Sequence, residues 1–310
     1  MLTFAKIFVL AKKEIIAYSA LLFSMIFWGL SFIGSKIVFE YLSPIATIFI
    51  RLIIASIFLV GVSLIMGKFQ KVRRQDIKLF LVLSFFEPFL YFLGEGYGVL
   101  YTAPTVASIV ISTIPLFVPF SMFFLAKEKI NIGNYFGILV SFAGVLLVVL
   151  KGNFSFAAEP LGISLLMLAV FSVMGYSFVL QKIAHRYNAF TVISVQNIVG
   201  ILYFLPLFLL FDVSTISEVH WEARLLIPLI SLGIFASAIA FFLFTLGIQR
   251  IGVTKATIFT YIIPVITALA SFFIMKEVFT IREMTGIALT IAGLFISQLR
   301  WRNILRYLRK

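Results

Sequence analysis

The chain of 310 residues contains no cysteine. That excludes a disulfide framework, a thiolate metal site and a cysteine nucleophile. Histidine is nearly missing as well. The two present, His185 and His220, fall in segments that read as loops, so no zinc cluster is expected. Charge is scarce: Asp, Glu, Lys and Arg make up 12% of the chain, against roughly 25% in a soluble domain. No Walker motif is found, which removes the usual route to ATP-driven work. What remains is apolar. Hydrophobic residues are 62% of the chain, and 37 of them are Phe. A soluble globule of this size could not hide so much apolar surface.

Long apolar windows in lipid read as helices, because an isolated strand leaves its backbone unsatisfied there. Ten spans are predicted: 16–39, 46–66, 78–100, 105–126, 133–150, 161–182, 190–211, 225–246, 256–275 and 284–301. The connections are too short for a soluble catalytic domain, so an enzyme is not expected. The third and fourth spans are divided only by a turn at Thr102–Pro104, where Thr105 is a candidate cap. Met1–Ile15 carries Lys6, Lys12 and Lys13 and reads as an interfacial amphipathic helix or a basic cytoplasmic anchor. The first span is too long for a signal peptide.

The 25 Lys and Arg are distributed unevenly. With the N-terminus inside, 19 fall in inner segments and only Lys151, Arg224, Lys276 and Arg282 in outer ones. This bias places both termini in the cytoplasm. It also assigns the net charge of +13 to anionic lipid headgroups rather than to nucleic acid.

The chain repeats itself. The 48 residues from Gly98 align without a gap on those from Gly247, and 15 positions match. Pro115 meets Pro264, Lys127–Glu128 meets Lys276–Glu277, and Gly137 and Gly144 meet Gly286 and Gly293. A weaker match joins WGLSFIGSKI at Trp28 to MGYSFVLQKI at Met174. Five spans per half invert the second half relative to the first, as in carriers that work by alternating access. The predicted fold is an all-α polytopic membrane protein of ten helices, in two inverted five-helix repeats over 16–150 and 161–301. A basic segment 1–15 precedes them and a basic tail 302–310 follows. The Lys-Glu pairs read as helix-end anchors. The paired glycines read as close packing, between the halves or between two protomers of a homodimer.

Four ionisable residues fall within spans: Lys36, Arg51, Glu87 and Glu95. Each costs several kcal/mol there unless paired or hydrated, roughly 3 or more at the midplane. A rise of about 1.5 Å per residue puts Glu87 near the midplane. It puts Arg51, Glu95 and Lys36 in one outer layer, where an ion pair or triad is predicted. Alternatively, Lys36 snorkels to the interface. Glu87 precedes Pro88, which removes a helical hydrogen bond and favours a kink exposing the acid to a cavity. Glu87 is the candidate proton or ligand site, with Tyr91 between it and Glu95. Second-half candidates are uncharged: Tyr176, Gln196, Asn197 and Tyr261, with Gln196 or Asn197 near the repeat position of Arg51. Trp28–Ser31 is a polar notch in the first span. Gly94, Gly96 and Gly98 form a small-residue stretch beside Tyr97 and Tyr101. Pro88, Pro115 and Pro264 are candidate hinges or permanent kinks.

The chain resembles the EamA family of the drug/metabolite transporter superfamily. The resemblance is carried by WGLSFIGSK at Trp28, Arg51 after Pro44, LYTAPTVASIVISTIPLFVPFSMFFLAKEKI and GNYFGILVSFAGVLLV in the first half. In the second it is carried by GIQRIGVTKATIFTYIIPVITALASFFIMKEVF and GIALTIAGLFI. It implies inverted five-helix halves and transport, often export, of amino acids or related small metabolites, without a cofactor or bound metal. Glu87 and Glu95 in FFEPFLYFLGEGYG depart from the common pattern. The reading is thus a secondary transporter of a small polar or amphipathic metabolite, with protons as a candidate second cargo. It would lie in the cell membrane, the inner membrane in a Gram-negative source. Uptake, or a passive channel or lipid scramblase, is the alternative.

Overall fold

The computed structural model describes residues 2–118, 132–149 and 159–298. Among them every regular element is helical. We number the segments α1 Leu2–Val38, α2 Pro44–Ile65, α3 Arg74–Tyr101, α4 Pro104–Val118, α5 Ile132–Val149, α6 Pro160–Ala184, α7 Ala189–Phe211, α8 Ala223–Ile251, α9 Val253–Met275 and α10 Ile281–Gln298. Seven of these are long and apolar enough to cross a membrane: α2, α3, α6, α7, α8, α9 and the Ile15–Val38 part of α1. Among the described residues that is fewer than the ten spans expected. α4 stops at their edge and the apolar part of α5 is only Leu139–Val148. α10 begins with Arg282 and Glu283. Lys127 and Glu128 lie outside the described residues.

Local chemistry sets the helix starts. Ser43 accepts from the Ala46 N–H at 3.0 Å, with Pro44 in the first turn of α2. Asn188 caps α7 through the Thr191 N–H at 2.9 Å. Thr280 and Glu283 form a reciprocal capping box ahead of α10. α4 starts on Pro104, and Thr105 does not cap it. Its hydroxyl instead donates to Glu277 at 2.9 Å, tying the first half to the end of α9.

The packing is pseudo-symmetric. α2 lies on α7, α4 on α9, and α5 on α10, each pair joining equivalent helices of the two halves. α1 packs on α8 and α9, while α6 packs on the equivalents α3 and α4. Such an exchange pattern is consistent with an inverted-repeat fold. Its closest approach is between α5 and α10. A Cβ on Gly293 would meet the Ser141 amide nitrogen at 2.2 Å, and one on Gly144 would meet the Thr290 nitrogen at 2.4 Å. The paired glycines thus pack the halves of one chain together. Gly94 does the same for α3, where a Cβ would sit 2.5 Å from the Leu165 carbonyl oxygen on α6.

The helix irregularities repeat too. α3 kinks within Phe85–Leu90, where Glu87 leaves helical geometry, and α8 widens into π-type bonding at Leu232–Ile239. The offset of the repeat, 149 residues, lays one segment on the other. π segments leave carbonyls for side chains to claim. On α8, the Ala236 carbonyl accepts from the Trp28 indole at 3.2 Å, and the Ala240 carbonyl from Ser24 at 2.8 Å. α4 and α9 are interrupted just before Pro115 and Pro264, by a turn at Ser112–Thr113 and a 3-10 turn at Ile258–Ile262. Those prolines follow breaks at matching positions of the two halves.

On one side of the bundle a polar clasp joins the halves. Asp76, ahead of the apolar part of α3, accepts from Arg186 and, at 2.7 Å, from the Tyr187 hydroxyl. Tyr187 accepts in turn from the Arg73 N–H at 3.0 Å. Burial pushes its phenol above the ordinary range, which keeps it a donor at neutral pH. Gln249 on α8 donates to the carbonyls of Ala184 and Tyr187. Arg186 is half exposed, which screens the pair. Asp76→Asn is therefore expected to cost about 1–2 kcal/mol, read as a lower melting temperature in detergent. An unchanged melt would show that the clasp holds nothing.

Candidate functional site

A narrow cavity of about 50 Å³ lies between α1, α2, α3, α4, α6, α8 and α9. By volume it admits only a few waters. Its polar wall is Arg51, Glu87, Tyr91 and Glu95. The lining is also aromatic, with the Trp28 ring about 5 Å from those of Phe241 and Phe244.

Arg51 reaches the cavity from α2 and is 3% exposed. Its Nε donates to the Ser237 hydroxyl at 2.7 Å, and its guanidinium lies 4.4 Å from the centre of the Phe92 ring. It lies in the fields of Glu95 and, less strongly, Glu87. Neither carboxylate forms an ion pair with it, and the described ion pairs are Arg186–Asp76 and Arg224–Glu40. Arg51 and Glu95 thus share a cavity, as expected, but the predicted direct pair is corrected. Glu95 instead accepts from the Tyr91 hydroxyl at 3.0 Å, one turn earlier on α3.

Lys36 leaves the predicted triad altogether. Its ammonium donates to the carbonyls of Val99, Leu100 and Thr102, each at 2.9 Å. Those are the open carbonyls at the end of α3, where a cation is doubly favoured. Lys36→Met is expected to cost about 1–2 kcal/mol by stranding them. The check is thermal unfolding, with an unshifted midpoint contradicting the capping role. Snorkelling to lipid is also corrected by this contact.

Glu87 sits where α3 breaks. Its own backbone is extended, at φ −141° and ψ 116°, as the residue before a proline prefers. Its peptide bond to Pro88 is cis. The side chain lines the cavity, is 2% exposed, and has no hydrogen-bond partner on either oxygen. Tyr176 lines the cavity beside it from α6. Gln196 is buried behind the cavity wall, and the Asn197 amide approaches the Ser237 carbonyl at 3.5 Å. Tyr261 is buried against Leu116, away from the cavity lining.

Sequence reasoning missed Ser237, Phe92, Phe241, Phe244 and Thr257. A signal existed for Ser237: extending the repeat offset upstream aligns it with Pro88, and Ala236 with Glu87. The same offset pairs Ser108 with Thr257, and each hydroxyl donates to the carbonyl three residues back, at 2.8 and 3.1 Å. The three phenylalanines carried no such mark among 37 Phe in a largely apolar sequence.

The model of the EamA-like transporter family matches residues 15–150 and 160–299. The chain belongs to that family. An uncharacterized transporter, YetK of Bacillus subtilis (strain 168), is 30% identical over 300 residues, covering 94% of this chain and 89% of its own. An uncharacterized transporter of Archaeoglobus fulgidus is 28% identical, over 87% of this chain and 94% of its own. A protein of known crystal structure shares the fold, with a TM-score of 0.70 at 17% identity, over 93% of this chain and 98% of that one. This EamA-like chain is therefore a multi-pass membrane transporter and not an enzyme.

Proposed function

We propose that this EamA-like protein is a secondary exporter of small amphipathic metabolites, amino acids or close relatives, working by alternating access. In this reading the chain has ten spans in two inverted five-helix repeats, with both termini in the cytoplasm. The basic inner segments rest on anionic lipid. The observation that carries the proposal is the composition of the cavity wall. Charges of both signs, Arg51 with Glu87 and Glu95, line one space together with the Trp28, Phe241 and Phe244 rings. A solute with an anionic group, a cationic group and an apolar part finds a complement for each. The space is too small for such a solute as it stands, so binding requires the halves to part. The breaks at Pro88, Pro115 and Pro264 are the places where the helices can bend.

Glu87 is the coupling group. A buried carboxylate with no partner is costly in a membrane, on the order of 3 kcal/mol or more. Taking up one positive charge per cycle removes that cost, and a proton is the simplest occupant. Counterflow in proteoliposomes tests the carrier. Unlabelled amino acid on one side is expected to accelerate uptake of labelled amino acid from the other; absence of acceleration across a panel contradicts a carrier. Glu87→Gln is expected to lose flux driven by a pH gradient and keep exchange. Unchanged gradient-driven flux would remove Glu87 from coupling.

A further inference from the structure

The surroundings of Glu87 hold more than a proton needs. Tyr176 comes from α6, Gln196 from α7 and Thr245 from α8, and each is at most 3% exposed. The Tyr176 hydroxyl, Gln196 Oε1 and Thr245 Oγ1 all lack hydrogen-bond partners, as do both Glu87 oxygens. Four helices thus bring five unsatisfied oxygens into one buried region. Their proximity follows from the packing. A Cβ on Gly175, next to Tyr176, would strike the ring of Phe86, next to Glu87. A Cβ on Gly200, one turn beyond Gln196, would meet Pro88 Cγ at 2.4 Å. The Tyr176 hydroxyl in turn approaches both Gln196 and Thr245 and lies in the field of Glu87.

Buried polar atoms in native proteins are satisfied in all but a few cases per hundred residues. One proton on Glu87 supplies one directional donor, which answers one acceptor. A small hard cation answers every oxygen around it at once, since carboxylate, carbonyl and hydroxyl oxygens are the ligands such ions take. Charge agrees. The cavity holds two carboxyl groups and one guanidinium among its described residues. Arg51 lies in the stronger field of Glu95, and Glu95 also has Tyr91. That leaves about one negative charge, on Glu87, which suits a monovalent rather than a divalent ion. The helix break adds backbone: Pro88 has no N–H to give the Ser84 carbonyl, and carbonyls at broken helices are where transporters hold such ions.

We infer that Glu87, Tyr176, Gln196 and Thr245 form a binding site for a dehydrated alkali cation, Na+ in the first instance, that competes with a proton for the coupling carboxyl. The inference rests on Glu87 as the coupling group and departs from the sequence expectation of no metal. It is tested by binding of 22Na+ to the purified full-length protein in detergent, with choline as the balancing cation. Saturable binding is expected, displaced by excess Li+ and not by N-methylglucamine. Glu87→Gln should abolish it. Thr245→Val and Tyr176→Phe, which keep shape, should each weaken it about tenfold, equal to about 1.4 kcal/mol. Gly61→Ala, whose added carbon meets nothing within 4 Å, should retain it. Absence of saturable binding by wild-type protein that still performs counterflow overturns the cation site and leaves the carrier standing. Binding that survives in Glu87→Gln also overturns it. Absence of counterflow with Na+ bound contradicts the carrier instead, so the two failures are distinguishable.

Discussion

Arg51→Leu is expected to lower counterflow by about a hundredfold or more, with the protein still extractable and monodisperse. The guanidinium is the one cation lining the cavity among the described residues. Removing it does two things. It takes away the group that would meet an anionic part of the solute, and it leaves Glu87 and Glu95 facing each other uncompensated. Breaking a buried charged arrangement by deleting one member typically costs about 3–5 kcal/mol, and each 1.4 kcal/mol is a factor of about ten. Arg51→Lys separates charge from geometry. It keeps the positive charge but loses the planar fork that holds Ser237 at 2.7 Å and lies over the Phe92 ring. A loss of about tenfold is expected, midway between wild type and Arg51→Leu. Full activity in Arg51→Leu would mean that the cavity is a structural void.

Gly293→Ala is the second large effect, and it falls on the fold. The added methyl would lie 2.2 Å from the Ser141 nitrogen and 2.7 Å from the Gly137 carbonyl oxygen. Both are backbone atoms of α5, so no side chain can turn aside. The helices must separate along their contact, and in a membrane close packing is the main force holding them. The expected cost is about 3 kcal/mol or more, at the upper end for overpacking. It is read as a collapse of the melting temperature or loss of the monodisperse peak. Gly61→Ala on α2 is the control: nothing lies within 4 Å of its added carbon. It should melt at or slightly above the wild-type temperature, since alanine is the better helix former. Equal behaviour of the two variants would refute the close α5–α10 contact.

The fold was largely legible because apolar runs and a repeat are one-dimensional signals. The offset that joins Gly98 to Gly247 anticipated the pairing of α5 with α10 and the matched breaks before Pro115 and Pro264. Position along a helix is legible for the same reason, since counting residues gives the rise. Direction around the helix was not. A period of 3.6 residues would set Glu87 and Glu95 on one broad face, but α3 breaks at Glu87 within Phe85–Leu90. Such a break changes the phase of everything before it, so a single uninterrupted period cannot relate the two acids. Lys36 failed differently. Its height beside Arg51 and Glu95 was reasonable, but its long chain turns to the end of α3, where three carbonyls outbid one carboxylate. Ser237 is a lone serine in an apolar run, marked only by the repeat offset that aligns it with Pro88. It gains meaning only because the π segment of α8 presents it to Arg51.

Alternate opening of one cavity between the two halves is most directly tested by one engineered thiol. The chain has no native cysteine, so Ser31→Cys places a single thiol on the cavity wall in place of a hydroxyl of similar size. A membrane-impermeant maleimide is applied to right-side-out and to inverted vesicles, and the labelling rates are measured under an imposed ion gradient and its reverse. Labelling from both sides is expected, with the two rates changing in opposite directions when the gradient is reversed. Labelling from neither side, or rates that rise and fall together as in an open pore, would contradict it.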